Sequence, residues 1–97
     1  KGTVAGYCID IMHETLPIIV EVNGDFWHAN PSLYESSWVN NVNKRTAQEI
    51  WDRDAKRLQD LKDAGYDVIV LWQKDIKNNK NYVSQIEDFV KNYLTNS

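Results

Sequence analysis

An α/β domain, a mixed β-sheet with flanking helices, is the fold the sequence predicts, and three stretches predict it. "YCIDIMHE" and "IIVEVNG", residues 7–14 and 18–24, are apolar and β-branched runs joined through "ETLP", which reads as a hairpin. "TAQEIWDRDAKRLQDLKDAG", residues 46–65, opens with a capping box of Thr46 and Glu49 and closes on Gly65, the marks of a helix. "YDVIVLW", residues 66–72, is mostly β-branched and ends on Trp72, as a buried strand does.

The hairpin carries a register. A loop of Glu14 to Pro17 sets His13 opposite Ile18, and counting back sets Asp10 opposite Glu21. Directly opposed residues share a face with Cβ atoms ~4.5 to 5.5 Å apart. Asn23, two residues beyond Glu21, lies on that same face opposite Cys8. A slip of one residue would scatter the three. After "GDFWH", the segment "ANPSLYESSWVNNVNKR" is rich in Asn and Ser and lacks periodicity, so a long surface loop anchored by Tyr34 and Trp38 is expected. The helix that follows has an apolar stripe of Ala47, Ile50, Trp51, Leu58 and Leu61. Beyond the last strand, "QKDIKNNKN" reads as a polar loop. It leads to a second helix over "YVSQIEDFVKNYL" with Tyr82, Val83, Ile86, Phe89, Val90 and Tyr93 on one face.

With 97 residues, 42% of them hydrophobic, the chain has material for one core and one domain spanning 1–97. There is neither a run of the ~20 apolar residues that span a bilayer nor a basic-then-apolar signal peptide, so a cytoplasmic setting without membrane is expected. The chain starts at Lys1 and not at a methionine, so a longer protein with further modules is expected. Cys8 is the only cysteine, which excludes an intrachain disulfide and a cysteine-rich zinc site. A net charge of −3 argues against gripping nucleic acid by bulk electrostatics. Lys44, Arg45, Arg53, Lys56 and Arg57 nevertheless crowd one segment, either as solvated helix charges or as phosphate contacts.

Several residues break the apolar pattern. Asp54 sits within the helix stripe, three after Trp51 and four before Leu58, where a carboxylate needs a cation, a histidine, donors or water. Asp10 and Glu21, opposed on one face, need a cation between them or a proton on one of them, unless both reach solvent on an edge strand. Mg²⁺ suits such a pair, since it takes one or two carboxylates with waters and phosphate oxygens. His28, after Phe26 and Trp27, is either a packed residue or a general acid or base, with Asp54 available to orient it. His13 reads as surface. No glycine phosphate loop or nucleophile elbow is present, and Cys8 has no helix N-terminus to activate it.

The spacing of Asp10, Glu21 and Asn23 resembles the core of the PD-(D/E)xK nucleases, with Asn23 where lysine is usual. "VNGDFWH" followed by "WDRDAKRLQDLKDAGYDVIVLW" looks more specifically like the very-short-patch repair (Vsr) endonucleases and the EDxHD phage homing endonucleases, over about residues 7–75. That resemblance implies a restriction-endonuclease-like core and a nuclease catalytic domain accompanied by a DNA-binding region elsewhere. It makes Asp10 a metal ligand together with the Val22 carbonyl, His28 the catalytic histidine, Asp54 its acidic partner, and Phe26 and Trp27 aromatics that can wedge into stacked bases. Asp25 after Gly24, the missing cysteines, and Asn23 in place of a histidine depart from the repair enzymes. These departures speak against zinc and favour the homing branch. The glutamate that the EDxHD pattern places on an upstream helix is either absent from this chain or replaced by Glu21.

The expectation is therefore an Mg²⁺-dependent endodeoxyribonuclease, with Mn²⁺ as a substitute metal, acting on double-stranded DNA in a phage-infected bacterium. Asp10, Glu21 and Val22 hold the metal, His28 with Asp54 handles a proton, and Asn23 donates to water or phosphate. Lys44, Arg45, Arg53 and Arg57 meet the DNA backbone, and a homodimer is one route to cutting both strands. Two alternatives stay open: a mismatch-directed nicking repair enzyme and a non-catalytic DNA-binding module.

Overall fold

The computed structural model describes residues 2–78 and 82–96 and is mixed α/β, with two small sheets and three helices among those residues. β1 (Gly2–Val4) and β2 (Tyr7–Ile9) pair antiparallel around Ala5 and Gly6, both at positive φ, 52° and 83°. Two left-handed residues in a two-residue turn match the right-handed twist of the flanking strands, which is why this hairpin closes so tightly. β3 (Ile11–Met12), β4 (Ile18–Asn23) and β5 (Asp67–Trp72) form the second sheet in that order. β3 runs antiparallel to β4, and β4 runs parallel to β5, so this sheet is mixed.

The run expected as one strand over 7–14 is thus two strands broken at Asp10, and β1 was not expected at all. The break has a cause. Ile9 and Met12, three residues apart, both pack on the same core group, which strict alternation does not allow, and between them Asp10 turns out, its carboxylate accepting a hydrogen bond from the Val22 amide at 3.0 Å.

α1 (Ala47–Asp63) connects β4 to β5 as a parallel crossover requires. Thr46 caps it as the sequence predicts: its hydroxyl accepts from the Glu49 amide, and the Glu49 carboxylate accepts from the Thr46 amide. Leu61 on its inner face is fully buried with Ile19, Ile9 and Val4, and Tyr66 and Val68 pack against this group. A second apolar group forms where Tyr34, Trp38 and Trp51 close over Ala29, Ala47 and Ile50, so the long loop is anchored by the two aromatics expected to do so.

Gln73–Asn78, expected as loop, form the short helix α2; residues 79–81 of that segment lie outside the described residues. α3 (Tyr82–Asn96) packs on β5, with Tyr82, Ile86, Phe89, Val90 and Tyr93 half-buried. Val83, assigned to that face, is 51% exposed. No helix among the described residues is long and apolar enough to cross a membrane.

Candidate active site

The register counted from the sequence holds for the strand residues next to the turn, but not for Cys8, which pairs with Thr3 and not with Asn23, because the chain leaves β4 at Asp10. Ile11 pairs with Val20 and Met12 with Ile19, and the His13 amide donates to the Ile18 carbonyl at 2.9 Å, which brings the Asp10 backbone beside Glu21. The Asp10 amide donates to Glu21 Oε2 at 3.3 Å, and the Val22 amide donates to Asp10 Oδ2 at 3.0 Å. Glu21 is buried and Asp10 is exposed.

The two carboxylates do not face each other as expected: Asp10 turns outward onto the Val22 amide, and the buried Glu21 carboxylate needs a cation, which the protein provides. Arg57 Nε donates to Glu21 Oε1 at 2.7 Å, its Nη2 bonds the same oxygen, and Nη2 also donates to the Cys8 carbonyl at 2.6 Å. The guanidinium lies 5.1 Å from the centre of the Tyr7 ring as well. Arg57, expected toward the DNA backbone, and Glu21, expected toward a metal, are therefore committed to each other. The signal for this pair was in the sequence: Arg57 follows Asp54 by three positions and so shares the helix face turned to the sheet.

The fit to a divalent cation rests on what remains. Asp10 Oδ1 has no partner among the described residues, and a carboxylate oxygen is the kind of ligand Mg²⁺ takes. Among the described residues no three His, Cys, Asp or Glu side chains are grouped as metal ligands.

His28 reaches the helix through a tight turn. Its amide donates to the Gly24 carbonyl at 3.1 Å and the Asn30 amide to the Asp25 carbonyl at 2.9 Å, while Ala29 reverses the chain at φ 50°. Trp51 Nε1 holds the reversal by donating to the Ala29 carbonyl at 2.6 Å. One turn along α1, Asp54 Oδ2 lies 2.9 Å from His28 Nδ1. A carboxylate only accepts, so Nδ1 is the donor of this bond, and in the neutral imidazole Nε2 is then left as an acceptor. Both side chains are about a third exposed, 35% and 31%.

The pair forms a wall between two hollows. One, of about 330 Å³, lies between α1 and the sheet, with Trp51, Leu58, Val70 and Trp72 as apolar sides and Asn23 and Glu21 on the β4 side. The other, of about 350 Å³, is bounded by Tyr7, Arg53 and Lys56. Arg53 is exposed there, with no ion-pair partner among the described residues. Lys44 and Arg45 line neither hollow; they sit in the loop before α1, Lys44 at φ 64°. Phe26 packs edge-on to Trp27 at 4.9 Å and to Trp38 at 5.7 Å, whereas Trp27 is 55% exposed. Packing therefore accounts for Phe26, and Trp27 is the aromatic presented to solvent.

Asp25 cross-links the turn. Its carboxylate accepts from Asn30 Nδ2 at 2.9 Å and from the Lys74 amide at 3.3 Å, which ties the turn to α2.

A further cluster escaped the sequence reading. Lys56 Nζ and the Tyr7 hydroxyl both donate to Asp60 Oδ2, at 2.8 and 2.7 Å, joining the first hairpin to α1. Lys56, then Tyr7, hold the Asp60 carboxyl below its ordinary range, and Asp60 in turn raises both partners. A depressed carboxylate stabilises the fold above its unfolded pKa, and that contribution is lost as pH falls through the lower folded value. Urea unfolding should accordingly show stability dropping between about pH 5 and pH 2, with a smaller drop in Asp60→Asn. An equal drop in the variant would assign acid lability to other groups.

No family model, curated protein or solved structure matches the chain.

Proposed function

We propose that the chain is the catalytic domain of a Mg²⁺-dependent DNA endonuclease with a restriction-endonuclease-like core, of the kind found in EDxHD phage homing endonucleases. The observation that carries this reading is the His28–Asp54 pair at 2.9 Å, lining the same cavity as Glu21, whose carboxylate accepts from the Asp10 amide; Asp10 itself lines neither hollow. A histidine held through Nδ1 with Nε2 left to accept is the arrangement a general base needs.

In this reading Asp10 and the Val22 carbonyl would hold Mg²⁺, which would supply positive charge to offset what builds on the scissile phosphate. Water attacks phosphorus, its proton passes to His28 Nε2, and the P–O ester bond opposite breaks, the leaving oxygen taking a proton from solvent. Asp54 keeps His28 in the accepting tautomer and stabilises the cation it becomes. Glu21 acts through its Asp10 amide contact and its pairing with Arg57, not as a ligand of its own. Arg53 contacts the phosphate backbone of double-stranded DNA.

One observation favours a second reading, a non-catalytic DNA-binding module: with Glu21 neutralised by Arg57, Asp10 is the carboxylate left to a metal. Plasmid cleavage decides between the two. The endonuclease should cut with Mg²⁺ and not with EDTA, and Asp10→Ala should be inactive. Metal-independent DNA binding with no cutting would establish the module, and cutting by Asp10→Ala would overturn the site.

A further inference from the structure

We propose that the cavity between α1 and the sheet is a nucleobase-binding site in which Asn23 reads the edge of the base. The proposal deepens the endonuclease reading and rests on it for the source of the base, an unstacked nucleotide of the DNA substrate.

A volume of about 330 Å³ is that of a small-ligand pocket, and exceeds the roughly 150 Å³ of an apolar cavity that takes benzene. Its sides are largely apolar and include two indole rings. Trp51 already donates its indole N–H to the Ala29 carbonyl, so what it offers the cavity is its ring, with Trp72, Leu58 and Val70 as the other sides. Such walls suit a planar heterocycle and would leave the polar groups of a sugar phosphate without partners.

The polar groups around the cavity are mostly taken. Glu21 is bonded to Arg57 and His28 to Asp54, but the carboxamide of half-buried Asn23 has no partner among the described residues. A carboxamide presents an acceptor beside a donor, the set that matches the N6 and N7 edge of adenine. The phosphate of the same nucleotide has its own place, because the hollow with Arg53 and Lys56 adjoins the cavity across the His28–Asp54 wall. Asn23, expected from the sequence to serve water or phosphate, is thereby assigned to the base.

The test is an NMR titration of the whole chain with deoxyadenosine 5′-monophosphate, deoxyribose 5′-phosphate and indole, following the Trp51 and Trp72 side chains. The nucleotide should shift both tryptophans saturably, deoxyribose 5′-phosphate should shift neither, and Asn23→Leu should weaken the nucleotide roughly tenfold or more while sparing indole. Leu58→Trp, which fills the cavity, should abolish both ligands, its fold checked by the dispersion of its spectrum. Absence of saturable shifts, equal shifts from deoxyribose 5′-phosphate, or an Asn23→Leu variant that binds the nucleotide unchanged would each overturn the proposal. Plasmid cutting is read separately. Cutting without base binding removes this proposal alone, whereas base binding without cutting keeps the site and removes the endonuclease reading.

Discussion

Cleavage by His28→Ala is expected to be about 10²- to 10⁴-fold slower than by the unmodified chain, the range that a positioned general base contributes. Asp54→Asn should be nearly as slow, and for a different reason. The carboxylate accepts from Nδ1 at 2.9 Å, whereas an amide can donate to Nδ1, which holds the ring in the tautomer whose Nε2 already bears a proton. That variant keeps the shape of the pair and loses its base, so its thermal unfolding should stay within about 1 kcal/mol of the parent, the worth of a typical hydrogen bond. A pair that merely fastened the 24–28 turn to α1 would give the reverse result: stability lost, cutting rate kept. Single-turnover cleavage beside thermal unfolding of both variants distinguishes the two roles.

Why His28 and Asp54 could be found from the sequence, when other features could not, follows from where each clue resides. Asp54 stood out because a carboxylate inside an apolar stripe demands a partner, and that contradiction is local. The register of Ile11 and Met12 against Val20 and Ile19 was legible for a similar reason, since Pro17 and the turn fixed the loop length, whereas alternation did not carry it past Asp10, where the chain leaves β4 and Cys8 pairs with Thr3. β1 was not legible: three residues closed by an Ala-Gly turn carry no periodicity to read. α2 lacks an apolar stripe, and its first turn is held from a distance by Asp25 accepting the Lys74 amide. Tyr7, Lys56 and Asp60 meet only because the first hairpin folds onto α1, a tertiary fact with no local trace. Arg57 is the intermediate case. Its helix face could be counted, yet its sign suggested a phosphate partner before a buried glutamate.

Arg57→Met should lower stability by about 3 kcal/mol, at the low end of the cost of breaking a buried ion pair. Glu21 has a side-chain exposure of 6% and Arg57 of 29%, so solvent screens the arginine but not the carboxylate it leaves behind. Once unpaired, Glu21 keeps only the Asp10 amide at 3.3 Å, too little to offset its desolvation. For a domain of this size the loss corresponds to a fall in Tm of roughly 12 to 24 °C. Adding Glu21→Gln removes the orphaned charge, so the double variant should unfold well above Arg57→Met alone, a non-additivity that a double-mutant cycle measures directly. The same pair of variants bears on the metal. With Arg57 gone, Glu21 lies beside the Asp10 backbone without a cation, and Mg²⁺ should raise the Tm of Arg57→Met more than that of the parent and of the double variant. If Mg²⁺ instead stabilises all three equally, Glu21 takes no part in holding it even when freed, and the metal belongs to Asp10 and the Val22 carbonyl alone.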